Sequence, residues 1–102
     1  MENNFFEGVN MLYSINYEKD KTLEVHIMNE YVDRDGCKNL TVRVEEVEDR
    51  THYSEWRLPD IFCYKSYGFS ENDELDMENY LLHNESIMWD DWREYKNSKE
   101  SR

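Results

Sequence analysis

Gly68-Phe69-Ser70-Glu71-Asn72-Asp73-Glu74-Leu75-Asp76-Met77 is the stretch across which this chain changes its hydrophobic period, and that change decides the fold. Ser70 has the chemistry of a helix N-cap. Its hydroxyl can accept from the amide of Asp73, and the acids that follow sit at the positive end of a helix dipole. The spacing predicts a helix that begins at Glu71. At about a hundred degrees per residue, Met77, Leu81, Met88, Trp92 and Tyr95 fall within one narrow sector, a stripe able to lie on a sheet. Asp73, Asp76, Asp90, Asp91 and Glu94 fall roughly opposite. Glu74, Glu78 and Glu85 lie between that stripe and a second one of Leu75, Leu82 and Trp89. His83-Asn84-Glu85-Ser86 contains side chains that compete with the helix backbone for hydrogen bonds, so one helix and two helices both remain open.

Upstream of the junction the period is two. Residues 11 to 17 alternate, with Met11, Tyr13, Ile15 and Tyr17 on one face and Leu12, Ser14 and Asn16 on the other. After the polar reversal Glu18-Lys19-Asp20-Lys21, Leu23, Val25 and Ile27 alternate with Glu24, His26 and Met28, and the two segments read as a hairpin. Asp33-Arg34-Asp35-Gly36 supplies a tight turn. Leu40 to Val47 reads as a third strand with Leu40, Val42 and Val44 inward, and His52 to Leu58 as a fourth with Trp56 and Leu58 inward. Pro59 ends that strand, and Ile61 to Tyr64 adds a short fifth. Strands first and one helical region last predict an α+β fold. The expectation is an antiparallel sheet of four to five strands over about residues 10–65, with a helical region over about 71–96 packed on one face.

The chain has 102 residues and is read as one domain over residues 1–102, with residues 1–8 and 97–102 as flexible ends. Its 38% hydrophobic content is low, but eight Tyr, three Trp and four Phe supply large rings to pack, which separates it from disordered chains of similar charge. No apolar run approaches the length needed to cross a bilayer, and Met1-Glu2-Asn3-Asn4-Phe5 lacks the features of a signal peptide, so a cytoplasmic location is expected. In that compartment Cys37 and Cys63 are reduced thiols, and the sequons at Asn39 and Asn84 carry no glycan.

Most chemistry is argued against by spacing. Aligning Gly36 with the invariant glycine of a calcium loop puts Tyr31 and Val42 at two essential ligand positions. His26, His52, His83, Cys37 and Cys63 show none of the close spacings of zinc sites. Neither a metal nor a cofactor is therefore expected. A Cys63–histidine nucleophile has nothing in the sequence to assemble it, and no Gly-rich loop offers a phosphate cradle, so the chain is not expected to be an enzyme.

Charge is the informative feature. From Ser70 to Tyr95 nine carboxylates face a single base, Arg93, which accounts for −8 of the chain's −12. Direct binding of nucleic acid or anionic lipid is disfavoured, and a basic protein surface is the expected partner. Nine carboxylates on a helix of ~39 Å give about one per 4 Å, near the one per 3.4 Å of a single nucleic-acid strand. Solubility alone requires less charge. The expected function is a small acidic inhibitor or neutralising partner that masks a nucleic-acid-binding surface. An antagonist of a nuclease-based defence system and an immunity protein for a nuclease toxin both fit. Asp73, Asp76, Asp90, Asp91 and Glu94 are the candidate contacts, with Glu45, Glu46, Glu48 and Asp49 as a second patch. Two alternatives are a ligand pocket between sheet and helix around Trp56, Cys63, Tyr64 and Tyr67, and a homodimer paired through a strand edge.

Overall fold

The computed structural model describes residues 10–100, with side chains through residue 98. Five strands, β1 (Met11–Tyr17), β2 (Thr22–Val32), β3 (Lys38–Glu46), β4 (Tyr53–Leu58) and β5 (Phe62–Tyr67), form one antiparallel sheet in sequence order, and one helix, α1 (Glu71–Glu100), follows. This is the α+β arrangement that the change of period implied. The expectations for residues 1–8, 101 and 102 fall outside the described residues. Lys96 does not end the helix, as expected from the polar tail; α1 continues to Glu100.

The core is the slab between the middle of the sheet and one stripe of α1. Leu23, Val25 and Ile27 of β2, Leu40, Val42 and Val44 of β3, and Trp56 and Leu58 of β4 are buried against Met77, Leu81, Met88 and Trp92. Strand alternation and helical spacing select these residues, and burying each large aliphatic side chain contributes about 1.5–3 kcal/mol. Polar pins then fix the helix on the slab. The Trp56 indole donates to buried Ser54 Oγ at 2.8 Å, and that hydroxyl meets Met77 Sδ at 3.3 Å. Glu30 accepts from Trp92 Nε1 at 2.9 Å and from Lys96 Nζ at 2.7 Å.

The helix starts as its sequence dictates. The Asp73 amide donates to Ser70 Oγ and the Ser70 amide donates to Asp73 Oδ2, both at 3.1 Å, which closes a reciprocal cap. No break occurs at His83–Ser86. Asn84 donates back to the Tyr80 carbonyl and His83 Nδ1 meets the Asn79 carbonyl, so both side chains fold along the helix instead of interrupting it.

The strict alternation expected of β1 is corrected by a bulge. Pairing shifts between Leu12 and Ser14, so Tyr13 and Ser14 both turn toward α1. There Tyr13 Oη donates to Asn84 Oδ1 at 2.8 Å and Ser14 Oγ pairs with Tyr80 Oη at 2.6 Å. Ile15 and Tyr17, expected beside Met11 and Tyr13, lie opposite Glu24 and Thr22 on the open face of the sheet instead. A similar shift after Ile27 turns Glu30 to the helix side, a third lies between β4 and β5, and β5 runs to Tyr67, beyond the expected Tyr64.

Two glycines have left-handed backbones, at φ 86 for Gly36 and φ 82 for Gly68. A Cβ on Gly36 would meet nothing within 4 Å, whereas one on Gly68 would stand 2.2 Å from His52 Cδ2. Gly36→Ala should therefore lose only the backbone penalty of about 1–2 kcal/mol. Gly68→Ala should lose measurably more in urea unfolding and should displace His52 from Glu46. The orientation of α1 makes a second contrast. Leu81→Ala should destabilise by about 2–5 kcal/mol. Leu82→Ala, its exposed neighbour, should change unfolding free energy by less than about 0.5 kcal/mol.

Candidate protein-binding face

The carboxylates of α1 do not share one environment. Asp73 and Asp91 are 18 residues apart, which is five turns at 3.6 residues each, so both lie on the shoulder that faces β1 and both are half-buried. Asp73 caps the helix and meets Lys21 Nζ at 3.5 Å. The Ser70 amide, with Lys21 adding to it, holds its carboxyl below the usual range. Asp91 lies beside Tyr13, whose hydroxyl is pushed up to about 12 by burial, with Tyr80 and Asp91 adding to the effect. Asp76 and Glu94 are also five turns apart and stand one step further out, exposed. Asp90 is exposed on the crest and meets Arg93 at 3.0 Å. Along the opposite shoulder run Glu71, Glu78 and Glu85. Among the described residues, no cation stands within ion-pair distance of Glu71, Asp76, Glu78, Asp91 or Glu94.

The second acidic patch differs in kind. Glu45 is held by Arg43 at 2.9 Å and by Arg50, and Arg50 also reaches Glu24 at 2.7 Å. Burial works to raise the Glu45 carboxyl, yet the two guanidinium groups hold it below its ordinary value. Arg50 does the same for Glu24. Glu46 meets His52 Nδ1 at 2.9 Å, Glu48 accepts from the Thr22 amide, and Asp49 accepts from the amide and hydroxyl of Thr51. These four acids thus each have a partner inside the chain, and Glu48 and Asp49 remain exposed. Arg43 also bridges to Glu55 at 2.7 Å and stacks its guanidinium 3.7 Å from the centre of the Tyr53 ring.

The open face of the sheet holds a grouping that sequence spacing missed. Glu24, His26 and Glu45 place one ligand atom each within 4.8 Å of one another. The signal is the acid-x-histidine alternation of β2, but it becomes legible only with the register that sets Glu24 opposite Glu45. The Arg50 guanidinium occupies the position between the carboxylates and supplies the cation there. A shallow depression of about 520 Å³ beside this cluster is lined by His26, Arg43, Glu45, Glu55, Tyr64 and Lys65, charges of both signs that neutralise one another.

Of the four residues named for a sheet–helix pocket, Trp56 and Cys63 line a depression of about 370 Å³ between the sheet and the start of α1, and the two tyrosines lie elsewhere. Trp56 and Cys63 pair on the helix side, while Tyr67 packs on Tyr53 and Tyr64 lies beside Glu55, on the open face. Between β1, β2 and the start of α1 there is a cavity of about 60 Å³, room for about two water molecules. Burial pushes the Cys63 thiol up, which disfavours the thiolate a nucleophile requires. His26 is engaged with Glu24, His52 with Glu46 and Asp49, and His83 with the Asn79 carbonyl.

The sheet network has a pH signature. Glu24 and Glu45 have lowered folded values, so their ion pairs stabilise the fold above the unfolded carboxylate range near 4.5 and stop doing so as pH falls through the lowered values. Arg50→Gln should cost about 1 kcal/mol or less at neutral pH, and that difference from wild type should vanish in acid, as followed by urea unfolding across pH 7 to 2.

Neither a protein-family model, a curated protein nor a solved structure matches this chain.

Proposed function

We propose that the protein is a non-enzymatic binder that sets the anionic outer surface of α1 into the basic, nucleic-acid-binding groove of another protein. The observation that carries this reading is the contrast in charge compensation within the chain. Arg43, Arg50, His52, Arg57 and Lys65 are committed to acids of the sheet and its turns. On α1, Arg93 serves Asp90 alone, and Lys96 turns away from the acids of its own helix to Glu30 on β2. From Asp76 to Glu94, about 27 Å of axis, the helix keeps exposed carboxylates at Asp76, Glu78, Asp90 and Glu94, of which only Asp90 has an ion-pair partner among the described residues. Such a surface resembles a phosphate backbone in the sign of its charge. A nuclease, whether part of a defence system or a toxin, presents a complementary groove. Affinity between such surfaces is electrostatic in its approach step and weakens with salt.

The test uses the immobilised full chain and its triple reversal Asp76→Lys, Asp90→Lys, Glu94→Lys, checked for native helicity by circular dichroism. From its native cytoplasm at low salt, wild type should retain nucleic-acid-binding proteins that elute with duplex DNA or with added salt. The triple reversal should retain none of them. The same proteins captured by both chains, or captured proteins that DNA does not displace, would show that the helix is not occupying a nucleic-acid site.

A further inference from the structure

α1 carries a second apolar line, of which two leucines are unused by the core and the third member, Trp89, packs against the core's edge. Leu75 and Leu82 are 56% and 60% exposed, and Trp89, half-buried, continues the line at the same seven-residue interval. A spacing of seven keeps residues on one side of a helix and is the interval at which a second helix packs along it. The neighbouring positions repeat with the same period. Four residues before each apolar one stand Glu71, Glu78 and Glu85, and three before stand Asn72, Asn79 and Ser86. On the far side, one residue after each, lie Asp76, His83 and Asp90. The Trp89 indole donates to Glu85 Oε2 at 2.6 Å, so the last ring of the line is held against the acidic shoulder.

We propose that this line is the seat of a basic amphipathic helix belonging to the partner protein, one with apolar residues facing Leu75, Leu82 and Trp89 and Lys or Arg on both flanks. The proposal rests on the reading that the partner is cationic, and it adds the shape of the contact. Charge selects the occupant. Glu71, Glu78 and Glu85 form one border, and Asp76 and Asp90 flank His83 on the other, so a second copy of this chain would bring mostly like charges together, whereas a basic segment answers the net charge of both borders. The short polar residues Asn72, Asn79 and Ser86 occupy the alternate seam positions, where they allow close approach and restrict register. Three repeats extend about 30 Å, so the segment needs about twenty residues.

The probe is a 21-residue peptide with Leu at both seam positions of each heptad and Lys on both flanks, compared with a scrambled peptide of identical composition that has no apolar stripe. Binding to the full-length protein is read by calorimetry and by the tryptophan emission. The ordered peptide should bind at least about tenfold more tightly than the scrambled one, and Leu75→Ser with Leu82→Ser should remove that advantage. Equal binding of the two peptides, unaffected by the serine pair, would overturn the seam while leaving a charge-only contact standing. Binding of neither peptide would also overturn it, and the triple-reversal capture would then judge the charge reading separately. Wild-type self-association in sedimentation that Leu82→Ser abolishes would assign the seam to a second copy and overturn the basic partner.

Discussion

One helix has to cover five strands. With strands about 4.8 Å apart, the sheet is about 19 Å wide between its outermost axes, while a helix with its side chains spans only about 10–12 Å. The consequence runs through the whole molecule. Among the described residues, the fully buried side chains are confined to β2, β3, β4 and the facing stripe of α1, and the margins over β1 and β5 are closed by larger, partly polar groups. Tyr13, Ser14, Tyr80 and Asn84 close the β1 margin through hydroxyl contacts. On the β5 margin, Ser66 donates to Glu74 at 2.6 Å. Ile61 packs against the core there despite φ 53, a strained position for a β-branched residue.

The same shortage of covering elements explains the distribution of charge. Among the described residues no helix lies over the far face of the sheet, and its side chains form a mesh of paired charges with Arg43 and Arg50 at its nodes. Cations spent on that mesh are not available to α1. An acidic composition alone does not dictate this division. It arises because cross-strand neighbours are about 5 Å apart and can pair at modest entropic cost, whereas nearly all the titratable neighbours on the outer surface of α1 are acids.

Much of this was legible in the sequence because it depends on local rules. The alternations Leu23-Val25-Ile27 and Leu40-Val42-Val44, the Ser70 cap and the stripe from Met77 to Trp92 are each set by period and capping chemistry, and the structure places them as read. The departures have non-local causes. The bulge that sends Ile15 and Tyr17 outward is held by hydroxyl partners on a helix more than sixty residues away, as the Ser14–Tyr80 contact illustrates. The continuity of α1 through His83–Ser86 depends on Asn84 satisfying the Tyr80 carbonyl while accepting from Tyr13. The pairing of Glu45, named as a candidate contact, depends on strand register and on one arginine in a turn, neither of which composition encodes.

Helix stability by itself would not arrange the acids this way. Carboxylates at Glu71, Asp73 and Glu74 lie in the first turn, where the dipole favours them. Asp90, Asp91 and Glu94 lie toward the other end, where backbone carbonyls make negative charge unfavourable, although the effect weakens before the final turn. Like charges three and four residues apart, such as Asp91 with Glu94 and Asp90 with Glu94, add a repulsion of about 0.2–0.5 kcal/mol per pair. Arg93 offsets only part of it. The fold therefore carries an electrostatic load in its C-terminal half that the described residues relieve only in part, while buried Met88 and Trp92 hold the helix in place against it. A cationic surface brought against that half would remove the load as it bound. That would make association stronger than contact area alone would give, and this supports reading α1 as a surface built to be covered.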